Sequence, residues 1–138
     1  MKEILREGSV SILRFDKGEE LLTGIISFAR DSHIRAGTFQ GLGAALRVTL
    51  AYYDFEARQY LETIMREVEI ASLTGNIGIC KGEYAVHVHG VFSGKDCAAK
   101  AGHVKEIVVS GTCEVRLEAF SGKLERMPDA ETGLNLLA

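Results

Sequence analysis

His87-Val88-His89 and Gly102-His103 gather three of the four histidines of this chain into one stretch. In an extended strand, side chains at i and i+2 share a face. His87 and His89 are therefore expected to project side by side, with Val86, Val88 and Val91 packing. A third imidazole at His103 would complete one side of a tetrahedral metal site and leave the fourth position open, as in catalytic zinc centres. Neutral imidazole is a preferred ligand for Zn²⁺ and also suits Cu, Ni or Fe. Two histidines on a strand face can equally be polar residues of a solvated or interface surface. The metal reading therefore requires the chain to return to the same place. Ser93 to Ala101 (SGKDCAAKA) reads as a loop bounded by Gly94 and Gly102, short enough to bring His103 back beside His89.

A zinc ion on three histidines would lower the pKa of a bound water to about 7 and polarise a carbonyl or phosphoryl oxygen. Such chemistry needs a proton acceptor. Glu69, on the strand face opposite Val68 and Ile70, and Glu106, three residues past His103, are the candidates for a general base or for a partner that orients an imidazole. Either could instead be a solvated carboxylate on a sheet face. Gly41 and Gly43 in Gln40-Gly41-Leu42-Gly43-Ala44 suggest a tight turn, or a close backbone approach that could hold a small molecule beside the metal. The further glycine and the helix of a dinucleotide fingerprint are missing there. Arg126, Asp129 and Glu131 could line a pocket or form a charge cluster that fastens the C-terminus. Cys80 and Cys113 fall in apolar strands and read as small buried hydrophobes. Cys97, in the loop between the histidines, could approach a metal. His33 sits at a helix end, where a cationic ring is favourable, and is left out of the metal site.

Several elements must position these groups. Ser9 to Phe15 alternates as a first strand, with Val10, Ile12 and Arg14 on one face. Asp16-Lys17-Gly18 turns into a helix over Glu19 to Ser32, with Leu21, Leu22, Ile25, Ile26, Phe28 and Ala29 at helical spacing. Glu19 and Glu20 stand where the helix dipole favours negative charge, and Gly24 allows close packing on a sheet. Ile34 to Phe39 is a short strand. Leu46 to Tyr53 and Gln59 to Thr63 form a hairpin around Asp54 to Arg58. Glu67 to Leu73 alternates, Gly75-Asn76 turns into Ile77 to Cys80, and Lys81-Gly82-Glu83 is a second tight turn. Tyr84 to Phe92 carries the histidine pair. Lys105 to Ser110 and Thr112 to Phe120 are further strands around Gly111, and Arg126 to Ala138 reads as irregular. The expected class is α+β: a largely antiparallel β-sheet packed with one long amphipathic helix and short helical segments.

The 138 residues suit one domain over 1–138. Sixteen basic against 19 acidic residues give a net charge of −3, the wrong balance for a protein built to grip a phosphate backbone. Three cysteines without CxxC spacing argue against a disulfide framework and for a cytoplasmic home. MKEILREGSV lacks the apolar run of a signal peptide. No apolar stretch approaches the roughly 20 residues that span a bilayer, so no membrane partner is expected.

A set of motifs in order carries a family resemblance over nearly the whole chain. They are Gly18-Glu19-Glu20-Leu21, Ile34-Arg35-Ala36-Gly37, Gly41-Leu42-Gly43-Ala44, Tyr52-Tyr53-Asp54 and Glu69-Ile70-Ala71-Ser72-Leu73-Thr74-Gly75-Asn76. His87-Val88-His89, Gly102-His103-Val104 and the tail from Arg126 through Asp129-Ala130-Glu131-Thr132-Gly133-Leu134 complete them. The set resembles the PPC (plants and prokaryotes conserved) domain in its stand-alone prokaryotic form. The resemblance implies an α+β subunit of a homotrimer, and His87, His89 and His103 as residues that can hold a metal. Ala101 stands where the family more often has glycine. Plant members join this domain to AT-hooks, and stand-alone members are often labelled predicted DNA-binding. The hook's Arg-Gly-Arg-Pro core is absent here, since Pro128, the one proline, follows Met127.

Three readings follow. The first is a trimeric metal- or small-molecule-binding module, with zinc or another divalent transition metal. The second is a metal-dependent enzyme on a small polar substrate, using Glu69, Glu106 or the Gly41–Gly43 loop. The third is a DNA-associated protein, disfavoured by the net charge and the missing hook.

Overall fold

Alternating burial builds the first hairpin. The computed structural model describes residues 1–138. Strand β1 (Lys2–Glu7) pairs antiparallel with β2 (Val10–Asp16) around Gly8, whose φ is +56°. Ser11, Leu13 and Phe15 are the buried members of β2, while Val10, Ile12 and Arg14 on the other face are only half-buried.

Helix α1 (Leu21–Asp31) is 11 residues long, shorter than the expected Glu19–Ser32. Glu20 caps it, its carboxylate accepting from the amides of Leu22 at 3.1 Å and Thr23 at 2.8 Å. The same carboxylate accepts the Ile107 amide at 3.1 Å, so the cap also pins the helix to the sheet. At the other end Ile34 N–H reaches Ala29 O at 2.8 Å and His33 N–H reaches Arg30 O at 3.1 Å, with His33 at φ +56°. That is a Schellman close, with histidine in the left-handed position glycine usually takes. Leu21, Ile25, Phe28 and Ala29 form the buried stripe, and α1 packs on the later strands. The expected additional short helical segments are absent: α1 is the one helix.

The sheet departs most from expectation in strand length. β3 (Gly37–Asp54), β4 (Gln59–Cys80) and β6 (Ala99–Ala119) run 18, 22 and 21 residues, and β5 (Glu83–Ser93) runs 11. Breaks expected at Gly41–Gly43, Gly75–Asn76 and Gly111 are continuous strand. Bulges bend the strands instead, with register shifts between Gly41 and Gly43 and between Ile70 and Ser72. Gly43 sits at φ +151°, and a Cβ there would lie 2.3 Å from Thr112 O, so glycine marks a close approach of β3 to β6 rather than a turn. The expected loop over Ser93–Ala101 shrinks to residues 94–98.

β3 pairs with both β4 and β6, and β5 pairs with the same two strands. Four strands thus form a closed cycle of antiparallel pairings. Closure is partial: residues 59–68 of β4 pair only with β3, and residues 83–88 of β5 only with β4. β2 joins β6 on the outside. The tail, expected to be irregular, folds into β7 (Glu125–Pro128), parallel to β4, and β8 (Asn135–Leu137), antiparallel to β7. Within and against the cycle lies one core of 23 buried residues, including Phe15, Ile25, Phe39, Phe92 and Ile107. The architecture is mostly antiparallel β-sheet with one short helix. The helix is not long and apolar enough to cross a membrane.

Candidate metal centre

β5 and β6 assemble the histidines. Val88 is fully buried between His87 and His89, which therefore share the opposite face. Val86 and Val91 are only half-buried, and Phe92 supplies the next core contact. The short 94–98 loop is fastened by Cys97 N–H to Gly94 O at 2.9 Å and Ala98 N–H to the Asp96 carboxylate at 3.0 Å. It returns the chain in register, with His103 directly across from His89. The ring centroids of His87, His89 and His103 lie 5.1, 5.2 and 5.5 Å apart pairwise. One nitrogen from each falls within 4.8 Å of the others.

The electrostatics favour neutral rings. Burial pushes the His103 pKa down to about 4, helped by the charges of His87, His89 and Lys105. Burial also lowers the pKa of His87, with Arg126 and His89 adding to it. Tyr60 stacks on His103 at 5.2 Å between centroids, and Tyr53 packs edge-on against Tyr60 at 5.0 Å. His103 Nδ1 is buried with no hydrogen-bond partner. An orphaned ring nitrogen beside two further imidazoles, with His87 and His103 biased toward the neutral form, fits a divalent transition metal such as zinc.

The site opens into a cavity of about 460 Å³. His87, His103, Tyr60 and Val86 form one wall; Arg126, Leu134, Asn135 and Leu136 from the tail form another. Arg126 Nη2 donates to Asn76 Oδ1 at 2.6 Å, and Asn76 stands opposite His87 in the β4–β5 register. Tyr53 O–H donates to Thr132 O at 2.7 Å and Arg58 donates to Glu131 O at 3.0 Å, holding the tail over the cavity. Of Arg126, Asp129 and Glu131, only Arg126 lines the pocket. Asp129 instead accepts from Thr132 N–H at 2.8 Å and Oγ1 at 2.7 Å.

The other candidates lie elsewhere. Glu69 pairs with Ser93 in register, five residues along β4 from the rung of His89, or about 16 Å away. Glu106 is bound by Arg47 at 2.6 Å and Thr49 at 3.3 Å. Gly41 lines a separate groove of about 410 Å³ with Leu42, Leu73 and Arg116, and Gly43 abuts Thr112 and Cys113. Cys97 is exposed in its loop, and Cys113 is buried with its thiol pushed up to about 12. Cys80 is half-buried and lines the histidine cavity. Tyr60 and Asn76 carry no sequence signal of a role, since both acquire one only through strand register.

Among solved structures, a metal-containing protein from Archaeoglobus fulgidus is 31% identical over 100% of this chain and 99% of its own, with a TM-score of 0.88. A plant- and prokaryote-conserved (PPC) protein from Pyrococcus horikoshii is 30% identical over 95% of this chain and 92% of its own, with a TM-score of 0.88. A protein from Ralstonia eutropha JMP134, provisionally described as DNA-binding, is 28% identical over 97% and 94%, with a TM-score of 0.93. No curated protein matches. The sequence pattern of the Plants and Prokaryotes Conserved (PCC) domain matches residues 3–121, and with three imidazoles converging inside that span, the chain belongs to this family.

Proposed function

We propose that this protein is a metal-binding module: His87, His89 and His103 hold one divalent transition metal, zinc foremost, in a homotrimer that binds a small molecule beside it. The observation that carries the reading is the convergence of three imidazole nitrogens within 4.8 Å, on rings that include His103, whose Nδ1 is buried and unpartnered. The trio is all imidazole, with no oxygen ligand, which favours zinc over calcium or magnesium. The metal-containing relative supports the same reading. Bound there, the metal would act as a Lewis acid; the protein's part is to hold three imidazole donors and a shaped cavity around it. For the trimer, support comes from Tyr52 and Leu61, paired across the β3–β4 hairpin and 69% and 50% exposed.

The test is elemental analysis of untagged protein beside a triple His87→Ala, His89→Ala, His103→Ala variant. One metal per chain in the parent and none in the variant is the expected result. No metal in either after zinc loading would return the histidines to surface duty. The description of one relative as DNA-binding favours a second reading, which predicts affinity that falls steeply with salt. The net charge of −3 opposes it.

A further inference from the structure

The histidine cavity also holds a cation that nothing neutralises. Arg126 donates its two hydrogen bonds to neutral carbonyl oxygens, Asn76 Oδ1 at 2.6 Å and Asn135 O at 3.1 Å. No ion pair of the protein includes it. Its Nε is buried with no partner. Buried donors are nearly always satisfied, so this N–H, in the wall of a cavity, is a donor awaiting an acceptor. Arg58 lines the same cavity, and none of the 14 lining residues is Asp or Glu. A divalent metal on the histidines would add two further positive charges. Like charges gathered in one cavity repel, and an anion relieves that repulsion.

We propose that the cavity binds a small carboxylate bearing a neighbouring oxygen donor, the carboxylate on the Arg126 guanidinium and the neighbouring oxygen on the metal held by His87, His89 and His103. This rests on the metal reading above. The planar guanidinium fork matches the two oxygens of a carboxylate. A phosphate would call for more donors, such as a helix N-terminus, and α1 contributes no residue to this cavity. The volume of about 460 Å³ is toward the lower end of ligand pockets, which suits a small organic acid. Tyr60, Val86 and Leu134 give its carbon skeleton an apolar wall. Arg126 lies beyond the 3–121 span of the family match, so the anion-binding half of the site belongs to the tail.

The experiment uses cobalt(II)-loaded full-length protein, with pyruvate as the probe and inorganic phosphate as the comparison. Metal content is measured before any ligand is added. Pyruvate is expected to shift the cobalt absorption bands saturably, with the same midpoint by calorimetry. Arg126→Gln should keep the parent metal content and bind pyruvate about tenfold or more weakly. Arg126→Lys, which keeps the charge but loses the fork, should fall between, and it carries the comparison alone if a melting curve shows the glutamine variant unfolded. Equal midpoints in parent and variant would overturn the proposal, as would tighter binding of phosphate or no pyruvate signal from the metal-loaded parent. A parent that takes up no metal removes the metal reading itself, and the carboxylate proposal with it.

Discussion

His103 is held in a state useful for ligation at a cost in acid stability. Its folded pKa of about 4 lies below the ordinary value of 6.5. Below pH 6.5 the unfolded chain takes up a proton that the folded ring refuses, so unfolding gains with each step down in pH. The stability linked to this ring is complete above 6.5 and is lost progressively down to about 4. Because the ring is only half-buried, the loss is on the order of 1–2 kcal/mol. His87 shifts in the same direction. Denaturant melts of metal-free protein between pH 7 and 4 should therefore show a falling stability that His103→Gln flattens; an equal slope in the variant would remove this account. The lowered carboxylates Glu3, Asp16, Glu19 and Asp129 act below their ordinary values of 3.8 to 4.5, largely outside that window. Gly75 sets the ring's neighbour. A Cβ there would lie 2.4 Å from Phe39 Cζ and 2.7 Å from His87 O. Gly75→Ala should cost about 1–3 kcal/mol and displace the His87 backbone. Thermal melts and zinc affinity, read together, check both halves of that expectation.

At the scale of elements, the tail covers the site without supporting the core. The last residue of the 23-member core is Leu117, whereas the tail's ties are hydrogen bonds such as Tyr53 O–H to Thr132 O. Ending the chain after Pro128 should lower the melting temperature only slightly, while histidine modification by diethyl pyrocarbonate becomes several-fold faster at His87 and His103. A collapse of the melt would show instead that β8 holds the fold. The sequence made the histidine trio legible because strand periodicity puts i and i+2 on one face and a short loop brings the chain back. It made α1 legible because Leu21, Ile25, Phe28 and Ala29 recur at helical spacing. What it hid has one cause: glycine has two meanings in a β protein. Gly43 and Gly75 look like turns in one dimension, yet both lie inside long strands where another backbone or ring occupies the space of a Cβ. The tail strands were illegible because β7 and β8 are only four and three residues long, too short for a period to emerge. Arg126 could be read from the chain as pocket or as fastener, and only the register of Asn76 against His87 decides for the pocket.

At the scale of the whole molecule, a homotrimer needs a surface that one chain leaves uncovered, and the outer edge of β4 over residues 59–68, paired only with β3, belongs to a hairpin that offers one. The β3–β4 hairpin carries one such apolar face. Tyr52 and Leu61 stand opposite one another in register and border a groove of about 310 Å³ with Thr63, Lys100 and Ala101. Lys100 and Ala101 precede His103 on β6, so an interface built here would lie beside the metal strand rather than remote from it. Burying two large apolar side chains per subunit contributes roughly 3–6 kcal/mol to association, and an acidic group in their place would be left desolvated and unpaired. Sedimentation equilibrium of the parent should give three times the 15.0 kDa chain mass. The double variant Tyr52→Glu, Leu61→Glu should sediment at the mass of one chain with its far-ultraviolet dichroism unchanged. Metal content measured on that monomer then separates two arrangements. Retention of one metal per chain means that β5 and β6 of a single subunit suffice for the centre, as the convergence of His87, His89 and His103 within one chain implies. Loss of metal from a folded monomer would mean that a neighbouring subunit completes the coordination. A parent that sediments as one chain would leave the hairpin face without a partner of its own kind and end the homotrimer reading.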